Sequence, residues 1–157
     1  MKRLWAFLLV LGIAMGASAA GAADVPFHLD GSGTITTTPG VQSGEVIGTH
    51  IGKGTTRGQF FLFGPITQCT EGSTAVNTLG LQTLTAADGS TIDQQLLGVT
   101  CQLSSSSYRT TSTYTFLGGK GRFDNVSGTG THVRVSDFST SPGTFTLTQD
   151  GTLNRNN

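Results

Sequence analysis

Residues 116–135 read F-L-G-G-K-G-R-F-D-N-V-S-G-T-G-T-H-V-R-V, and the fold follows from how that stretch is spaced. Three glycines in four residues, Gly118, Gly119 and Gly121, let the backbone adopt positive φ and reverse tightly. Beyond them Thr131, Val133 and Val135 alternate with His132, Arg134 and Ser136, the period-two pattern of a half-buried strand. Gly128 and Gly130 stud the outgoing run, as glycines do where a strand bends to close a small barrel. The stretch predicts a hairpin whose second strand is bent by glycine.

The flanking sequence is built in the same way. Residues 25–38 predict a first strand with a glycine bulge at Gly31 and Gly33, ended by Pro39-Gly40. Residues 44–51 and 55–63 predict two more, the latter closing on Phe60-Phe61-Leu62-Phe63 before Gly64-Pro65. That run is apolar on both faces and is the strongest core candidate, one face filling the interior and the other meeting a partner subunit. A connecting segment, 66–76, carries Cys69. Strands at 77–86 and 91–101 flank Asp88-Gly89, a strong hairpin signal. Four serines at 104–107 read as a loop tip, residues 108–117 as a Thr-rich strand, 122–138 as the outgoing strand, and 144–153 as the last. No helical period is sustained after residue 23. Seven to nine strands, mostly one hairpin apart, fit a meandering barrel or a sandwich.

The segment 118–132 resembles the G-G-T-G-R-F … A-S-G-S-G signature of the allene-oxide-cyclase-like and dirigent-like β-barrel superfamily, in the form its small secreted bacterial members carry. Gly118, Gly119, Gly121, Arg122, Phe123, Gly128 and Gly130 bear that likeness, with Lys120 where Thr is usual. Gly48-Thr49-His50-Ile51-Gly52 and Leu84-Thr85-Ala86-Ala87-Asp88-Gly89-Ser90-Thr91 are similar too, in the same order. The resemblance implies an all-β, eight-stranded antiparallel barrel of the up-and-down type, trimeric as in the plant members, with a lumen able to hold a small apolar ligand. No catalytic position of the family matches this chain residue by residue.

Residues 1–23 read as a secretory signal: Lys2 and Arg3, an apolar run over 4–15, then small residues with A-x-A-type sites. About 12 apolar residues fall short of the ~20 a membrane-spanning helix needs, and no cysteine marks a lipoprotein site. The expectation is a secreted or periplasmic protein whose single domain occupies 24–157. Without Lys2 and Arg3, seven cationic side chains face nine acidic ones, a net charge of about −2, which excludes a basic nucleic-acid-binding stripe. Charged residues make up 11%, against roughly 25% in an average domain, and 26 threonines fill the space with neutral β-forming hydroxyls.

Two cysteines, Cys69 and Cys101, pair by default in an oxidising compartment. A reactive thiol is the alternative, and no C-x-x-C or His-rich spacing suggests a metal. Ser127 lacks the G-x-S-x-G context of a nucleophile elbow, and Gly119-Lys120 lacks that of a phosphate loop. His28, His50 and His132 are dispersed, and a metal site from His50 and His132 requires their strands to be neighbours. Asp30, Asp93, Asp124, Asp137 and Asp150 lie near turns and glycines, where Asp bonds local backbone, and Asp124 is placed for a salt bridge at the hairpin. Asn125-Val126-Ser127 is a formal glycosylation sequon. No cofactor is implied.

Two functions fit these residues. One is a non-enzymatic exported barrel that holds a small apolar ligand or acts as a surface or interaction protein. The other is an isomerase, cyclase or dirigent-like enzyme folding a lipid or phenolic in its lumen, where confinement does most of the work. A buried Asp, Glu or Tyr beside an apolar wall favours the enzyme. A lumen filled by its own side chains rules out both ligand readings and leaves a structural role.

Overall fold

The computed structural model describes residues 23–38, 40–64, 69 and 73–155. The signal read at 1–23 lies outside the described residues except for Ala23. Nine strands follow: β1 (Val25–Ile35), β2 (Gly40–Gly48), β3 (Gly52–Phe63), β4 (Ala75–Ala86), β5 (Thr91–Gln102), β6 (Ser107–Lys120), β7 (Val126–Ser127), β8 (Thr129–Asp137) and β9 (Gly143–Arg155). A short 3-10 turn, Gly121–Phe123, lies between β6 and β7. Eight strands pair antiparallel in the order β1-β2-β3-β4-β5-β6-β8-β9, and β9 returns to β1 from Val25↔Leu153 to Ile35↔Gly143. The sheet is a closed eight-stranded barrel, and closure removes the unpaired edges on which sheets aggregate. The two-residue β7 adds to the end of β9.

The hairpin forms, with its turn further along than the glycine pair suggests. β6 runs on beside β5 as far as Thr91↔Lys120, and pairing with β8 begins at Thr115↔Thr129. Leu117 is an extra residue opposite Asp93 and Gln94, and Gly118, at φ 131, absorbs that bulge where a side chain would be strained. The bulge expected at Gly31 and Gly33 is absent, since β1 keeps continuous register with both neighbours. Gly33 instead faces Gly44, so close that a Cβ on either would strike the opposite backbone.

Alternation along each strand sorts side chains into lumen and surface. On β6, Thr110, Ser112, Tyr114 and Phe116 are buried while Thr111, Thr113, Thr115 and Leu117 face water. At one end of the barrel Phe27, Leu29, Ile51, Leu84, Ile92, Phe116, Phe123 and Leu153 form a dry plug. Each such side chain contributes about 1.5–3 kcal/mol of burial. Above it the lumen turns polar. Gln94 donates to Gln82 at 3.0 Å, Gln82 donates to Thr56, and Gln149 meets His132 Nδ1 at 2.9 Å.

β8 inverts the ordinary hydrophobic assignment. His132 and Arg134 are buried, at 0% and 5% exposure, while Val133 and Val135 stand outside at 38% and 40%. The Phe60–Phe63 run divides similarly. Phe60 is buried, and Phe61, Leu62 and Phe63 are exposed, so the run is only partly core.

Candidate functional site

The two ends of the barrel differ in construction. Arg122 latches the plugged end: Nη1 lies 2.9 Å from Asp88 Oδ2, and Nη2 donates to the carbonyls of His50 and Ile51 at 3.1 and 3.0 Å. Its backbone N–H donates to Ser90 Oγ at 3.2 Å, and its guanidinium lies over the Phe123 ring. One side chain thus ties together the β2–β3, β4–β5 and β6–β7 turns, the three segments with the quoted glycine motifs. The hairpin salt bridge expected of Asp124 is made by Asp88, because the guanidinium reaches back across the barrel end.

The opposite end is an open mouth of about 310 Å³. Ile35, Leu62, Tyr108 and Phe138 form its wall, with the Tyr108 and Phe138 rings packed edge to face at 5.8 Å. Ser105 and Ser106 also line it, so the serine tip borders a cavity. Phe60 and Arg134 reach it from below, and Ser136 from β8.

Arg134 is the one ionised side chain inside the barrel among the described residues. It donates through Nη1 to Gln42 Oε1 at 3.0 Å and through Nη2 to Thr110 Oγ1 at 3.1 Å. The guanidinium carbon sits 3.9 Å from the Phe60 ring centre, a cation–π contact strengthened by burial. No carboxylate pairs with it among the described residues. Its Nε and the hydroxyl of Ser136 have no hydrogen-bond partner among the described residues. Burial lowers the Arg134 pKa to about 10, which leaves it cationic at neutral pH. Burial, and then the Arg134 charge, lowers the His132 pKa to about 3, so that imidazole is neutral.

The other sequence candidates are scattered. His50 lies on an exposed turn against the Pro26 carbonyl at 3.1 Å, while His132 is enclosed in the lumen, so the two form no site. Among the described residues no group of three His, Cys, Asp or Glu side chains is placed to hold a metal. His28 is bracketed by Asp150 at 2.6 Å and Asp30 at 3.0 Å on the outer wall. The bonds to Asp150 and then Asp30 raise the His28 pKa. Of the aspartates expected to bond local backbone, Asp137 does so at Ser139, whereas Asp30 and Asp150 bond the His28 ring and Asp93 accepts from Thr83. Asp88, in its own turn, accepts from the Ser90 N–H.

Tyr114 has no hydrogen-bond partner for its hydroxyl among the described residues, and burial, and then the Asp150 charge, raises its pKa. It is packed against Phe27 and Phe116, and a Cβ on Gly130 would lie 2.7 Å from its oxygen. Of the signature residues, Gly118, Gly121 and Gly128 take positive φ, Gly119 and Gly130 admit close backbone approach, and Phe123 caps the plug. Cys69 and Cys101 are disulfide-bonded, with Cα atoms 6.0 Å apart, fastening the chain beyond β3 to the end of β5.

Arg134 was not singled out by sequence. The available signal was a scarce charge at an alternate position of a strand, between two valines. No protein-family model matches the chain, and neither does any curated protein or solved structure. No helix among the described residues is long and apolar enough to cross a membrane, which says nothing of strands. Fold and site therefore define the class without relatives: a disulfide-bonded antiparallel barrel, plugged at one end and open at the other.

Proposed function

We propose that the chain is an exported, non-enzymatic barrel that binds a small ligand with an apolar body at its open mouth. The observation that carries this is the 310 Å³ mouth with aromatic and aliphatic walls, at the lower end of the range for small-molecule sites. The lumen beneath is occupied by the protein's own side chains, which removes the ligand-holding lumen expected from sequence and leaves the mouth as the candidate site. Export is supported by the signal pattern at 1–23 and by the disulfide. The cyclase-like alternative draws on Tyr114, whose hydroxyl is packed toward Gly130 and Gly151 in the plugged half. The test is titration of the mature protein with naphthol, naphthoate and naphthamide, followed by methyl and aromatic NMR. Shifts clustered at Ile35, Leu62, Tyr108 and Phe138 support the reading. No shift there with any of the three overturns it.

A second reading is self-association, favoured by an apolar row on the outer wall. Phe61, Leu79 and Leu97 stand side by side across β3, β4 and β5, with Phe63 and Leu81 adjoining. Phe61, Phe63, Leu81 and Leu97 are each 44–51% exposed. A trimer, as the family resemblance implies, would cover that row. Sedimentation of the wild type and of Phe61→Ser decides it: a monomer in both removes the reading.

A further inference from the structure

We propose that the mouth selects a compact monoanion, a carboxylate on an apolar body, and that Arg134 is the residue that binds its head. This rests on the mouth being the ligand site and adds the chemical class of what enters.

The interior of the barrel holds an unbalanced charge. A guanidinium held at 5% exposure has lost most of its hydration, and burial of that kind is ordinarily accompanied by a carboxylate. Here Arg134 has an amide oxygen, a hydroxyl and a ring face, all neutral. Apolar packing alone would be better served by Leu or Met at this position, since an unpaired buried charge is a liability to the fold.

The donors at the site point to the same ligand chemistry. Arg134 Nε and Ser136 Oγ both belong to residues lining the mouth, and both are buried without a partner among the described residues. The amide nitrogen of Gln42, whose oxygen already accepts from Arg134, is likewise unpartnered. A fixed cation with hydroxyl and amide N–H groups around it needs an acceptor. A carboxylate supplies two oxygens in the planar geometry a guanidinium matches. One cation inside the barrel balances one negative charge, so a phosphate dianion would be left with an excess buried charge.

The walls define the rest of the molecule. Phe60, Tyr108 and Phe138 present ring surfaces, and Ile35 and Leu62 close the sides, which suits a flat apolar body. The volume of about 310 Å³ accommodates one or two fused rings.

Calorimetry on the mature protein with naphthoate and its neutral isostere naphthamide tests the proposal. The expected result is tighter binding of naphthoate by about tenfold or more, the scale of a charge-assisted bond. Equal affinity, or preference for the amide, overturns the anion assignment and leaves the mouth as a binding site. Binding of neither overturns both. Arg134→Met is expected to abolish the preference, and naphthoate selectivity that survives in that variant overturns the role of Arg134. Should the variant fail to fold, the wild-type Arg134 Nε resonance gives the same decision. It should shift with naphthoate and not with naphthamide, and an unmoved resonance overturns the proposal.

Discussion

Arg122 and Asp88 meet at 2.9 Å across the plugged end of the barrel, joining two turns that are 34 residues apart in sequence. The pair is only partly shielded, with 40% and 45% of the two side chains exposed, so solvent screens most of its attraction. Most of the latch is the pair of bonds from Nη2 to the His50 and Ile51 carbonyls. Arg122→Ala is therefore expected to lose about 1–2 kcal/mol in urea unfolding. Asp88→Asn, which keeps an oxygen for the Ser90 N–H, should lose less than half as much. Equal losses would make the ion pair, and not the carbonyl bonds, the working part.

The outer cluster of His28 with Asp150 and Asp30 should tune stability with pH in a defined direction. The folded pKa of His28 lies above 6.5, owing first to Asp150 and then to Asp30. Its stabilisation is complete below pH 6.5 and disappears as pH rises through the folded value. The Asp30 pKa lies below 3.8, owing first to Thr148 and then to His28, so its share is present above pH 3.8 and fades as pH falls through the folded value. An NMR titration should place the His28 midpoint above 6.5, with Asp150→Asn moving it down. A midpoint that ignores Asp150 would contradict the geometry.

His132 acts with the opposite sign. It is neutral in the lumen with a pKa near 3, so the unfolded chain binds a proton that the folded chain refuses between about pH 6.5 and 3. Stability is expected to fall on acidification through that interval. His132→Asn, which keeps an acceptor for Gln149 but cannot ionise, should be less stable at neutral pH because of the cavity it leaves. It should also lose less between pH 7 and 4 than the wild type does. A parallel acid loss in both proteins would assign the effect to other groups.

How much of this was legible in sequence varies by element. The Asp88-Gly89 hairpin and the strands around it appear within one or two residues of where turn chemistry puts them, because local rules govern them. The period-two alternation of β8 is equally plain. It divides the strand into two faces without telling which one is inside, and hydropathy points to Val133 and Val135. The barrel chooses the other face, since Gln149 on β9 and Gln42 on β2 supply partners for His132 and Arg134. Those partners lie 17 and 92 residues away, beyond any local signal. The glycines at 31 and 33 misled for a related reason: a close approach between two strands and a bulge within one both call for glycine.

Reducing the Cys69–Cys101 bond releases a 32-residue loop that contains β4, its turn into β5 and nearly all of β5. The chain-entropy model puts the loss at about 3–4 kcal/mol. A Cys69→Ala, Cys101→Ala double variant should show this as a lower urea midpoint with little change in slope. A loss below about 1 kcal/mol would mean that the tether holds a segment already constrained by the barrel.

Arg134→Met separates a residue kept for binding from one kept for the fold. Were Arg134 structural, its removal would break a buried polar assembly and cost about 3–5 kcal/mol. If it is retained for a ligand, the methionine fills similar volume against Phe60 without burying an unpaired charge. The exposed needs are then small: Thr110 keeps its bond to Thr100 at 2.8 Å, and Gln42 loses one donor. The expected change in unfolding free energy is within about 1 kcal/mol of zero, with a gain the more telling outcome. Thermal and urea unfolding on the same preparations used for the naphthoate titrations make the comparison direct. A variant that unfolds several kcal/mol more easily would place Arg134 in the architecture of the barrel, and a stable variant that no longer discriminates the anion would place it in the site.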